Sequence, residues 1–186
     1  MADSGLRRLA ERIQGCCLAA GLTVATAESC TGGRIGDALT NVPGSSAYFR
    51  GGVVAYADTV KVALLGVPSR VIARHGAVSA QAAGAMASGA RDRLGADLAV
   101  AVTGIAGPSG GTPGKPVGLT YVAVADAAGV EIRRFGWTGD REANKDASAQ
   151  AALELLLARV TAISAVAATR SSAGPEADAG VGGDAS

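Results

Sequence analysis

The chain has 186 residues with 17 basic and 16 acidic side chains, and only 3% of its residues are aromatic. That length suits one domain with a full core and is too short for two ordinary ones. The balanced charge removes the electrostatic basis for nucleic-acid binding, and the few aromatics leave little to stack bases on.

In chain order, Leu6, Leu9, Ile13 and Cys17 recur at helical spacing and Gly21 closes a first amphipathic helix. Thr23 to Ala27 is a β-prone run that ends in the turn Glu28-Ser29-Cys30-Thr31-Gly32-Gly33, after which Ile35 and Leu39 resume helical spacing. Phe49 to Ala57 reads as a second strand, and Val60 to Leu65 as a short helix stopped by Gly66 and Pro68. Ser79 is placed to N-cap a helix through Ala82, Met86 and Ala90 to Leu94, with Gly95 past its end. Asp97 to Thr103 is a continuous apolar strand of the kind buried on both faces. A Gly/Pro-rich loop, Gly104 to Pro116, precedes two strands, Val117 to Ala125 and Val130 to Trp137, joined as a hairpin; Arg141 opens a long helix through Leu153, Leu156 and Val160. This alternation predicts an α/β fold, a three-layer α/β/α sandwich on a mixed, mostly parallel sheet. The domain is expected to fill 1–168, and the Ala/Gly/Ser-rich 169–186 to form a disordered tail.

Cys16, Cys17 and Cys30 are an odd set, Met1-Ala2-Asp3-Ser4 does not open a signal segment, and no apolar run is long enough to span a bilayer. A reducing cytoplasm is the expected location, with no membrane partner. His75 is the only histidine, so a metal site with several imidazoles is excluded, and no Asp, Glu, His and Cys cluster has metal-ligand spacing. Neither a metal nor another cofactor is expected.

Three short segments carry the candidate chemistry. Gly44-Ser45-Ser46, Tyr56 and Lys61 place a hydroxyl, a phenol and an amine in one turn-strand-helix unit, an inventory suited to a Ser/Lys hydrolase in which a lysine kept neutral by burial accepts the serine proton. Each has a bland alternative: a turn serine, a surface lysine, a core tyrosine. Ser29-Cys30-Thr31-Gly32-Gly33 lies where a strand feeds a helix, so glycines, hydroxyls and the helix N-terminus there could hold an anion. Cys30 is a rival nucleophile if the helix start lowers its pKa. Thr103 and Gly104 open an NH-rich loop. Arg141 and Lys115 are cationic candidates for a phosphate, His75 reads as structural, and Glu28 and Asp58 are possible orienting carboxylates that sequence cannot rank.

These motifs, with His75-Gly76-Ala77-Val78-Ser79 and Thr103-Gly104-Ile105-Ala106-Gly107-Pro108, occur in an order and spacing from about Leu6 to Leu157 that resembles the CinA C-terminal domain family. The resemblance implies the sandwich fold and a nicotinamide-nucleotide amidase that converts nicotinamide mononucleotide to nicotinate mononucleotide and ammonia. It implies Ser46 as nucleophile, Lys61 as base and Tyr56 as their partner in proton transfer, with Thr103 in the active site and an arginine near Arg141 on the substrate. Ser29, Thr31, Gly32 and Gly104 are assigned to substrate contacts. Longer family members carry an N-terminal domain absent from this chain, so activity is expected in the readable part, and relatives suggest a homodimer or larger homo-oligomer. The competing reading is a non-catalytic nucleotide-binding or interaction module of a competence or DNA-damage response.

Overall fold

The computed structural model describes residues 2–172. Its elements are α1 (Ala2–Ala20), β1 (Val24–Glu28), α2 (Arg34–Thr40), a 3-10 turn (Ser45–Ala47), β2 (Phe49–Val54), α3 (Asp58–Leu65), α4 (Ser69–His75), α5 (Ala80–Leu94), β3 (Leu98–Gly104), β4 (Leu119–Asp126), β5 (Gly129–Gly136) and α6 (Arg141–Ser172). The five strands form one sheet in the order β2-β1-β3-β4-β5. β1 runs parallel to both β2 and β3, while β4 is antiparallel to both β3 and β5. Helices cover both faces, which makes the three-layer α/β/α sandwich.

A size alternation along the strands decides which helices pack where. Successive side chains point to opposite faces. Val24, Leu98, Val100, Val102, Val122 and Val124 therefore share one face with Ile13 of α1, Leu39 of α2 and Leu153, Leu156 and Val160 of α6. Each fully buried leucine or valine there contributes about 1.5–3 kcal/mol. The other face is nearly all alanine, namely Ala25, Ala27, Ala99, Ala101, Ala123 and Ala125, and it meets Ala83, Met86, Ala87 and Ala90 of α5. Small residues on both sides bury less area each, so this layer depends on close approach. A Cβ added at Gly89 would lie 1.8 Å from the Leu65 carbonyl oxygen, so α5 and the end of α3 are in backbone contact.

Local signals explain the boundaries. Ser79 caps α5, its hydroxyl accepting from Ala82 N at 3.1 Å. The short helix α4 is not expected from the residue pattern, in which Pro68 reads as a stop; a proline also suits the residues that begin a helix, and here it stands directly before Ser69. β2 ends at Val54, three residues short of expectation, because α3 begins at Asp58. At the other end α6 runs through Ser172, past the expected boundary at 168, and the remainder of the expected tail lies outside the described residues. Among the described residues no helix is long and apolar enough to cross a membrane.

Candidate functional site

From β1 the chain passes through α2 to β2 on one side and later through α5 to β3 on the other, so β1 marks a change of direction in the sheet. Open α/β sheets bind ligands beyond the carboxyl ends of their strands at such a point. A cavity of about 240 Å³ lies there. Ser29 and Cys30 reach it from the end of β1, Tyr56 from the end of β2, and Thr103 and Gly104 from the end of β3. Asp58 and Lys61 of α3, Ala77 and Val78 before α5, the 105–110 loop and Arg141 complete its walls.

Lys61 is the unusual member. It is 1% exposed, and its Nζ donates to the Tyr56 carbonyl at 2.9 Å and lies 3.6 Å from Asp58 Oδ1. Burial lowers its pKa, and the neighbouring Asp58 carboxylate opposes that shift. Asp58 is therefore the carboxylate in the site. Glu28 instead serves the backbone, its carboxylate accepting from the amides of Gly33, Ile35 and Gly36 at 2.9, 3.1 and 2.8 Å. The helix N-terminus that the turn offered to an external anion is thus occupied by the protein's own side chain.

Arg141 reaches the rim from the first turn of α6. Its Nη1 donates to the Gly107 carbonyl at 2.7 Å and its Nη2 to the Tyr56 hydroxyl at 3.1 Å. A guanidinium has five N–H donors, so two bonds leave it free to hold a ligand as well. Asn144 secures this corner, donating from Nδ2 to the Ala106 carbonyl and accepting at Oδ1 from Gly139 N, both at 3.0 Å. Thr103 is buried and donates to the Ala77 carbonyl at 2.8 Å, which ties β3 to the segment before α5 and leaves its oxygen able to accept.

The structure brings Ser29, Tyr56, Lys61, Thr103, Gly104 and Arg141 to one cavity, and leaves Thr31, Gly32 and Ser46 out of its lining. Thr31 is fully buried with an unpartnered hydroxyl, whereas Gly32 is exposed. Ser46 sits in the 3-10 turn before β2, and Tyr56 follows β2. Six strand residues, with five rises of about 3.3 Å between them, put roughly 17 Å between the two ends of β2. Within one chain, Ser46 therefore stands at the far end of β2 from Lys61; the serines that share the cavity with Lys61 are Ser29 and Ser109. Burial pushes the Cys30 thiol up to about 11, which makes it a poor nucleophile. Lys115 spends its amine on the His75 carbonyl at 2.5 Å, so of the two expected phosphate ligands only Arg141 faces the cavity. Ala77, Val78, Ile105, Ser109 and Gly110 are lining residues that no sequence pattern singled out.

The CinA C-terminal domain model matches residues 6–160. A CinA-like protein of Geobacter sulfurreducens is 54% identical over 140 residues, covering 75% of this chain and 34% of that protein. A CinA-like protein of Parasynechococcus marenigrum is 53% identical over 144 residues, covering 76% and 34%. The chain thus spans about a third of the length of the curated relatives it matches. Among solved structures, the competence/damage inducible protein CihA of Agrobacterium tumefaciens superposes with a TM-score of 0.81 at 44% identity, covering 83% of this chain and 94% of that one. The CinA superfamily protein KP700603 of Klebsiella pneumoniae gives 0.81 at 34%, covering 84% and 98%.

These likenesses correct the functional expectation. They are to CinA-like and competence or damage-inducible proteins, not to a dedicated nicotinamide-nucleotide amidase, and the expected nicotinamide mononucleotide substrate goes with that activity. The physical reason agrees: Ser46, before β2, lies outside the cavity that Tyr56 and Lys61 line, so the expected hydrolase unit is not assembled within the chain. A match over residues 6–160 and relatives more than half identical show that the chain belongs to the CinA family through its C-terminal domain.

Proposed function

We propose that this domain is a nucleotide-binding module of a competence- or damage-linked response, holding the phosphate-bearing end of its ligand in the cavity at the carboxyl ends of β1, β2 and β3. The observation that carries this reading is the convergence of Lys61 and Arg141 on one cavity of about 240 Å³. Asp58 offsets part of the lysine charge, so Arg141 supplies most of the attraction for a dianion, and its planar fork suits phosphate oxygens. The Ser29 and Ser109 hydroxyls add donors. Such a ligand would meet fixed groups, because Tyr56 and Gly107 already hold the guanidinium in place.

Cytoplasmic placement belongs to the same proposal. It is supported by three free cysteines, Cys16, Cys17 and Cys30, which suit a reducing compartment.

Calorimetric titration of the protein with a set of nucleoside 5′-monophosphates tests the reading. Binding that Arg141→Ala weakens by at least about tenfold, or ~1.4 kcal/mol, is expected. No binding by any nucleotide, or binding indifferent to Arg141→Ala, would overturn it.

A further inference from the structure

Two side chains one turn apart on α6 take consecutive carbonyls of the cavity loop. Asn144 Nδ2 donates to the Ala106 carbonyl at 3.0 Å, and Arg141 Nη1 to the Gly107 carbonyl at 2.7 Å. Ala106, Gly107 and Arg141 line the cavity, whereas Asn144 does not. Its Oδ1 instead accepts from Gly139 N at 3.0 Å, in the segment that leads into α6. Only one orientation of the amide serves both partners, because the flipped one would set carbonyl against carbonyl and N–H against N–H.

Behind Asn144 the polar contacts continue into the sheet. Ser148, one turn further along α6, donates its hydroxyl to the Asn144 carbonyl at 2.7 Å, and its oxygen lies 3.1 Å from Thr120 Oγ1. A serine hydroxyl has a single proton, so Thr120 is the donor in the second bond. Thr120 stands on β4 opposite Gly104 of β3, where an added Cβ would come within 2.6 Å of the threonine Oγ1. A line of donors therefore runs from Thr120 through Ser148 and Asn144 to Ala106, joining the sheet to the cavity loop by way of α6. Thr120 and Asn144 are 2% exposed and Ser148 1%. Replacing both partners of a buried hydrogen bond by apolar groups of the same shape changes stability little. What the polar line adds is register, since a slip of α6 along the loop would leave buried donors and acceptors unpaired.

We infer that Asn144 is a positioning residue, which with Ser148 and Thr120 sets α6 against the 105–110 loop and thereby holds the Arg141 guanidinium at the cavity before any ligand arrives. Its effect on binding rests on the phosphate role proposed for Arg141, while its effect on the guanidinium stands apart from that reading.

NMR relaxation of the Arg141 Nε–H group in the ligand-free full chain tests this, with Asn144→Leu as the variant, since leucine fills a similar volume and makes neither bond. The parent should give an order parameter near that of rigid backbone, about 0.85, and Asn144→Leu one below about 0.6 while the amides of β1 and β3 stay rigid. Calorimetry with adenosine 5′-monophosphate supplies a second readout. Asn144→Leu should weaken binding about tenfold, yet cost no more than about twofold in an Arg141→Ala background, because it acts through the guanidinium. An unchanged Arg141 order parameter in folded Asn144→Leu, or a full tenfold loss in the Arg141→Ala background, would overturn the positioning role and leave the phosphate site intact. A loosened Arg141 in a protein whose parent binds no nucleoside 5′-monophosphate would support the role and remove only the nucleotide reading. Should Asn144→Leu not fold, Ser148→Ala decides by the same relaxation measurement: a lowered Arg141 order parameter is expected, and an unchanged one would overturn the inference.

Discussion

Lys61 and Asp58 stand one helical turn apart, the first buried and the second exposed, with Nζ 3.6 Å from Oδ1. An exposed partner on one side repays only part of the desolvation of a buried amine, which is why the lysine pKa stays depressed. The cavity therefore contains a cation that is costly to keep charged until an anion arrives.

Binding should consequently take up protons. A phosphate beside Lys61 raises its pKa toward the ordinary lysine value, so between the depressed and ordinary values the complex holds more protons than the free protein. Titration in two buffers of different ionisation enthalpy should show net uptake in that window, and Lys61→Met should abolish it; equal apparent enthalpies in both buffers would contradict the proposed geometry. The same sign governs stability. Below the depressed value the folded state carries the full penalty of a buried charge, and the penalty is relieved as pH rises toward the ordinary lysine value. Lys61→Met should then be more stable than the parent at neutral pH, by roughly 1–4 kcal/mol, with the difference vanishing in strongly alkaline urea titrations.

Glu28 is expected to be a stability residue first. It is 2% exposed and satisfies three backbone amides at the start of α2. Glu28→Ala strands those amides and should cost about 3–5 kcal/mol, since hydrogen bonds to a charged group contribute ~1.5–3 kcal/mol each and do not add fully. Glu28→Gln, which retains one acceptor oxygen, should lose less than half as much by urea unfolding at neutral pH. An unchanged midpoint in Glu28→Ala would refute this role.

Gly89→Ala sets helix propensity against packing. Alanine gains about 1 kcal/mol in the middle of a helix. The added Cβ, however, would fall 1.8 Å from the Leu65 carbonyl oxygen, a backbone atom that cannot rotate away. Separating α5 from α3 should cost about 1–3 kcal/mol or more, so thermal unfolding is expected to show net destabilisation. A raised Tm would mean that this layer has slack.

Asp126 predicts acid sensitivity. Its carboxylate takes Arg159 Nε at 2.5 Å and Nη2 at 3.0 Å, and also accepts from Ala128 N at 2.8 Å and Gly129 N at 3.1 Å. The Arg159 hydrogen bonds, ahead of the turn amides, hold its carboxyl below the usual range. A lowered folded pKa contributes stability that is complete above the unfolded carboxylate value and is lost as pH falls through the folded one. Asp126→Asn should be about 2 kcal/mol less stable than the parent at neutral pH, with the gap closing in acid. A gap of constant size from neutral to acid pH would show that the charge is not responsible.

Much of the fold is legible in the residues because its signals are local. Ser79 announces the start of α5 by a side chain that can reach an amide three residues on, and the apolar 98–103 run announces a strand buried on both faces. α4 escapes such reading because Pro68 has two local meanings, a stop and a start, and only the packed chain selects between them. Lys61, Tyr56, Thr103 and Arg141 stand out by residue type and motif, and chain folding places them together.

What sequence could not decide was adjacency across the sheet. Ser46 and Tyr56 are ten residues apart, a separation that reads as proximity, yet β2 runs between them and carries them to opposite ends. Glu28 looks as available as Asp58 along the chain, but the return of α2 over the end of β1 gives its carboxylate three amides. Residue type and periodicity determined the layers, the strand and helix alternation and the chemical inventory, since each depends on a few neighbours along the chain. Which carboxylate faces the cavity, which of Lys115 and Arg141 lines it and which serines share it with Lys61 were decided only by tertiary packing, because strand direction and helix return set distances that spacing along the chain does not encode.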